Sequence, residues 1–149
     1  MQRVRALSIA VVLLAATLCQ ARDLAIIIHK SNSTTTVTAA DLEKLLKTTT
    51  PAWPDGKKVK VFLTDPGSPE SRNILQHVYK MAPAEIKSLI DAHRADIQVV
   101  SSDDIVLMMV SENPGAIGIV NVYSITSQVK VLKVDDKLPM EQGYLLHGN

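Results

Sequence analysis

A chain of 149 residues and 16.2 kDa has room for one domain, alone or behind a targeting peptide, and is too short for a two-lobed clamshell receptor or a full enzyme barrel. With 46% hydrophobic and 21% charged residues it can build a packed core, which excludes global disorder. Aromatic content of 3% and a formal charge of +1 argue against a base-stacking nucleic-acid surface, an aromatic sugar platform or a strong field toward nucleic acid or an acidic membrane.

The first stretch reads as a leader. Arg3 and Arg5 form a short basic region, Ile9 to Leu18 is apolar, and Cys19-Gln20-Ala21 places small residues at both critical positions. Residues 1–21 are therefore expected to be a signal peptide cleaved after Ala21, sending the chain to the periplasm. The apolar run is shorter than the roughly 20 residues a spanning helix needs. Lipidation at Cys19 is the competing reading, and Leu18 stands where that motif wants a small residue. Cleavage shifts the formal charge from +1 to −1 and removes the only cysteine. Residues 22–149 must then hold together without disulfides, through their core alone.

Leu24 to Ile28 is a short apolar run rich in β-branched residues and reads as a buried strand. A polar loop follows, with Ser31, Asn32, Ser33 and a Thr triplet. Thr38-Ala39-Ala40-Asp41 resembles a capping box with the shorter acid, and Leu42, Leu45 and Leu46 repeat at helical spacing to about Lys47. Pro54-Asp55-Gly56 is a turn signal, and Trp53 beside it reads as a lid on the core. Val59 to Leu63 is the second strand. Ser68 is expected to cap the next helix with Pro69 at its first position, and Ile74, Leu75, Val78 and Tyr79 mark its buried face. Pro83 opens another helix with Ile86, Leu89, Ile90 and His93 on one face, His93 as a packing residue. Ile97 to Val100 is a strand. Ser101 or Ser102 caps a helix through Val110, with Met108 and Met109 in the core, and Asn113-Pro114-Gly115 stops it. Ala116 to Val120 and Val129 to Val134 are the last strands, and the tail from Asp135 is expected to be loosely held. Strands alternating with helices make the class α/β, with a mostly parallel or mixed sheet covered on both faces.

Ligands in such sheets sit where strands run into helix N-termini. The segment that fits is Asp65-Pro66-Gly67-Ser68-Pro69-Glu70-Ser71-Arg72. A helix start offers unpaired amides and partial positive charge. Gly67 permits close approach, Ser68 and Ser71 add hydroxyls, and Arg72 follows one turn in, a set suited to an oxyanion such as phosphate. The plainer reading is a capped helix with a solvated arginine, and Glu70 adds unfavourable charge. Ser31 and Asn32 are expected on the same edge of the sheet, or simply as loop formers. The four histidines lack ligand spacing, so no metal and no cofactor is expected. Asp103 and Asp104 suit a helix first turn, and there is no nucleophile elbow or phosphate-loop lysine, so an enzyme is not expected.

Several segments in this order resemble the periplasmic phosphate-binding proteins of phosphate ABC transporters, and more closely their short single-lobe relatives. They are the first strand leading to Lys30-Ser31-Asn32-Ser33, the helix from Ala40 to Lys47, Ala52-Trp53-Pro54-Asp55-Gly56-Lys57, Gly67-Ser68-Pro69 with Arg72, and Asn113-Pro114-Gly115-Ala116-Ile117-Gly118-Ile119-Val120. The resemblance spans roughly Leu24 to Ile125. It implies a single lobe of the type II periplasmic-binding fold in residues 22–149, with its core about 24–134. It also implies an exported solute-binding-like role in ABC-type phosphate uptake, with a membrane transporter or envelope protein as partner and no nucleic acid. In the family an arginine precedes a Ser-Gly-Thr turn. Here Gly67-Ser68 match the turn, Pro69 and Glu70 replace Gly-Thr, the position near Thr64 is not basic, and Arg72 is the substitute cation. The ligand groups that a second lobe supplies are not expected in this chain. The alternative reading keeps the fold and drops the ligand, leaving an envelope interaction or scaffolding module. The sequence does not indicate an oligomeric state.

Overall fold

The structure, a computed structural model, describes residues 22–148; the expected leader and Cys19 lie outside the described residues. The strands are β1 (Leu24–Ile28), β2 (Thr36–Val37), β3 (Lys60–Leu63), β4 (Ile97–Val99), β5 (Ala116–Asn121) and β6 (Lys130–Val134). The helices are α1 (Ala39–Leu46), α2 (Arg72–Tyr79), α3 (Pro83–Ala92) and α4 (Asp103–Glu112). One mixed sheet runs in the order β2-β6-β1-β5-β3-β4. β1 is antiparallel to both β5 and β6, and β3 is parallel to β5 and β4.

Strand alternation divides the apolar side chains between two layers. Leu24, Ile26 and Ile28 join Val61, Leu63, Ile117 and Ile119 under α1, α2 and α3, with Trp53 closing that side. Ala25, Ile27, Phe62, Ala116 and Val120 face α4 through Val106, Leu107 and Val110. Each aliphatic side chain so buried contributes about 1.5–3 kcal/mol. Covered on both faces, β1 shows no polar alternation, which is why it reads as a continuous apolar run. Two glycines set the approach of the layers. A Cβ on Gly118 would lie 2.7 Å from Val106 Cγ1 and 2.9 Å from Val110 Cγ2, so α4 packs directly on the β5 backbone. A Cβ on Gly115 would strike the Lys58 carbonyl, and the Gly115 carbonyl accepts the indole N–H of Trp53 at 2.9 Å.

Local chemistry accounts for most helix ends. Thr38 Oγ1 accepts the Asp41 amide at 3.1 Å, and Ser102, rather than Ser101, caps α4. Four expectations are corrected. α2 begins regularly at Arg72, not after Ser68: residues 65–71 form turns in which the Ser68 carbonyl, not its hydroxyl, accepts the amides of Ser71 and Arg72. His93 is an exposed C-cap, because α3 ends one residue before the apolar repeat would bury it. Met108 is 46% exposed at the outer side of α4.

The tail is the fourth correction. It is clasped onto the start of β1. Tyr144 and Leu146 join the core, Leu24 N–H donates to the Leu146 carbonyl at 3.0 Å, and the Tyr144 hydroxyl donates to the Leu24 carbonyl at 2.9 Å. Asp23, 4% exposed, accepts from His147 Nδ1 (2.7 Å) and Gly148 N–H (3.2 Å) through Oδ1, and from Met140 N–H (2.6 Å) through Oδ2. A buried carboxylate needs such donors, so the tail satisfies Asp23 as much as Asp23 holds the tail.

Candidate functional site

The ends of β3, β4 and β5 meet the beginning of β1 at one edge of the sheet, because β1 alone among these four runs in the opposite sense. A cleft of about 390 Å³ opens there. Its floor is Leu24, Leu63 and Ile119, and its rim is Thr64, Asp65, Ser68, Glu70 and Ser71 on one side and Ser101, Ser102, Asp103 and Asn121 on the other.

Thr64, Ser68 and Ser71 are thus brought together. Ser71 is nearly buried, yet its hydroxyl makes no capping bond. Gly67 and Arg72 line a second cavity of about 440 Å³ on the far side of Asp65, against α3. The expectation that Ser31 and Asn32 share the edge with Gly67 is not met. They follow the C-terminal end of β1, and the antiparallel register with β5 carries that end to the opposite edge, beside Ile117. There they serve the loop: Ser31 N–H donates to His29 Nδ1, the Ser31 hydroxyl lies 2.7 Å from the same ring nitrogen, and Asn32 Oδ1 accepts the Thr34 amide. The Asn32 carbonyl accepts Lys130 Nζ at 2.8 Å.

Four amides of the turns that lead into α2 are already engaged by the chain. Gly67 N–H donates to Asp65 Oδ1 at 2.9 Å, Ser68 N–H to the Asp65 carbonyl, and those of Ser71 and Arg72 to the Ser68 carbonyl. On the opposite rim, Asp103 Oδ2 accepts Asn121 N–H at 2.9 Å and Ser124 Oγ at 2.7 Å, tying α4 to the end of β5. Asp65, Glu70 and Asp103 line the cleft and no lysine, arginine or histidine does, while Arg22 stands with Glu70, Asp103 and Asn121 along an adjoining pocket. At an effective dielectric of about 20, a unit charge repels a like charge 6 Å away by about 3 kcal/mol. That is comparable with a single charge-assisted hydrogen bond. The lining of the cleft therefore offers an anion hydroxyls, with Arg22 in the adjoining pocket as the cation on that rim. Asp103 and Asn121 were not expected to meet the loop after β3, since only the strand order brings residues so far apart in sequence to one rim. No group of three or more His, Cys, Asp or Glu side chains among the described residues is placed to hold a metal ion.

No family model and no curated protein sequence matches the chain. Solved structures do. An ABC-type phosphate transport receptor from Vibrio cholerae superimposes with a TM-score of 0.69 at 19% identity, covering 86% of this chain and 54% of the receptor. PstS from Borrelia burgdorferi gives 0.70 at 21% identity, covering 87% and 55%. A substrate-binding protein with bound phosphate from Clostridium perfringens gives 0.64 at 19% identity, covering 78% and 46%. The chain shares their fold. It is the α/β architecture that the Trp-Pro-Asp-Gly and Pro-Gly-Ala-Ile-Gly segments imply, and the chain spans about half the length of these receptors.

Proposed function

We propose that the protein is an exported solute-binding-like receptor domain, not an enzyme, that takes phosphate or a related oxyanion in the cleft at the ends of β3 and β5 and serves ABC-type phosphate uptake. What supports the reading is the convergence of Thr64, Ser68 and the uncommitted Ser71 hydroxyl in one cleft, in a fold shared with phosphate receptors. Export rests on the leader-like residues 1–21. Hydroxyls on an open, acidic rim compete with water, so each bond is worth about 0.5–1.5 kcal/mol. Binding is accordingly weak in the isolated chain.

The test is a melt against an anion panel. Under this reading, phosphate raises Tm with the logarithm of its concentration, as mass action requires, and the double substitution Ser68→Ala, Ser71→Ala removes the shift. A flat response to millimolar phosphate and sulfate rejects it.

One observation favours a second reading, an envelope interaction module without a small ligand. The amides expected to receive the anion are bound to Asp65 and Ser68, and Arg72 faces a different cavity. That reading requires a specific partner to be recovered from an envelope fraction while the melt ignores anions.

A further inference from the structure

The cavity on the far side of Asp65 has a chemistry unlike that of the cleft. Its walls are Pro66, Pro83, Ala84, Ile86, Ile90 and Val99, with Arg72, Lys87, Asp65 and Asp91 at the margins. It reaches the core: Ile86 and Ile90 are 3% and 7% exposed, whereas Val99, on the edge strand β4, is 46% exposed. The two prolines bring no amide donors to it.

Its charges are unevenly matched. Asp91 accepts Lys87 Nζ at 2.8 Å and Arg94 Nη2 at 2.9 Å, and Asp65 Oδ1 accepts the Gly67 amide. Arg72 forms none of the ion pairs found among the described residues. α3 opens on Ala82, which makes no side-chain cap, but its carbonyl accepts the amides of Glu85 and Ile86 at 3.0 Å, so Arg72 is the donor that matters here. An apolar cavity of about 440 Å³ with one unmatched guanidinium at its margin is complementary to a molecule with one negative end and an apolar body.

We propose that this cavity binds a small amphiphilic monocarboxylate, its carboxylate on Arg72 and its hydrocarbon chain over Ile86, Ile90 and Val99. A guanidinium pairs a carboxylate through two parallel bonds. Phosphate suits the cavity poorly, because a dianion would meet Asp65 and Asp91 and find only one unmatched cation. The inference goes beyond the oxyanion reading and uses a different site.

Straight-chain carboxylates from butanoate to octanoate, with octanol and inorganic phosphate as comparators, test it by calorimetry on the purified protein. Affinity rises about threefold to fourfold per added methylene. Octanol binds at least about tenfold more weakly than octanoate, and Arg72→Ala costs octanoate a similar factor. Ala84→Phe, which fills the cavity from an exposed position, abolishes octanoate binding, and its unchanged melt shows that the fold is intact. Amide shifts on octanoate addition fall on Gly67, Ala84 and Lys87. No octanoate binding, affinity flat with chain length, an Arg72→Ala variant that binds like the parent, or shifts on Ser101, Ser102 and Asn121 instead would each overturn the proposal. The phosphate titration in the same series bears on the oxyanion reading alone.

Discussion

Two buried tyrosines show how a single hydroxyl decides the sign of a substitution. Tyr79 is fully buried and its hydroxyl has no partner among the described residues, whereas that of Tyr144 donates to the Leu24 carbonyl at 2.9 Å. Tyr79→Phe removes a stranded polar group and is expected to leave stability unchanged or raise it by about 1 kcal/mol. Tyr144→Phe is expected to cost about 1 kcal/mol, both read by urea titration. Burial pushes the Tyr79 phenol well above its ordinary value, and burial together with nearby Asp23 does the same to Tyr144. Their contribution is intact below about pH 10, where phenols are neutral in both states. It is lost as pH rises further, because the unfolded chain releases protons that the folded chain keeps. Alkaline unfolding should therefore start at higher pH in the Tyr79→Phe, Tyr144→Phe double variant.

At the scale of the elements, the contact of α4 with β5 leaves no room for a side chain at Gly118. Gly118→Ala brings a methyl into Val106, Val110 and Ile27, the last at 3.0 Å from the ideal Cβ. Overpacking of this kind costs about 1–3 kcal/mol. Val106→Ala opens the same space, so the Gly118→Ala, Val106→Ala double variant should lose less stability than the two single losses summed. A strictly additive cycle would mean that the helix backs away instead of clashing. The helix start before Arg72 is weaker by construction: Ser71 makes no side-chain cap, and the first turn rests on the Ser68 carbonyl. Replacing Ser71 by Ala should therefore change stability little, which keeps the phosphate melt interpretable.

For the molecule as a whole, the clasp joins the two ends of the described chain. Truncation after Lys137 would strip Tyr144 and Leu146 from the core and leave the Asp23 carboxylate without Met140, His147 and Gly148. Two side chains at about 1.5–3 kcal/mol each, plus the lost hydrogen bonds to Asp23 at about 0.5–1.5 kcal/mol each, remove much of the 5–15 kcal/mol a domain possesses. The truncated protein is expected to melt many degrees lower. Asp23→Asn in the full chain should be milder, and Leu24 N–H should lose hydrogen-exchange protection in both. If truncation leaves the melt unchanged, the tail is not part of the core.

Much of this architecture was legible in the residues. The apolar run of β1, the capped α1 and the Pro83 start of α3 are local signals, because periodicity and capping act over a few residues. That Ser68 and Ser71 lie close together follows from the same short range. Strand direction was not legible, and it decides the rest. The antiparallel setting of β1 moves Ser31 and Asn32 to the opposite edge and brings Asp103 and Asn121 to the cleft. The turns after β3 place Arg72 against α3 instead of beside Ser68, and a polar-looking tail becomes core by supplying donors to Asp23. Such outcomes depend on pairing between segments up to about 125 residues apart, as with Asp23 and Gly148, and no local pattern encodes which distant partner a strand or a buried carboxylate will meet.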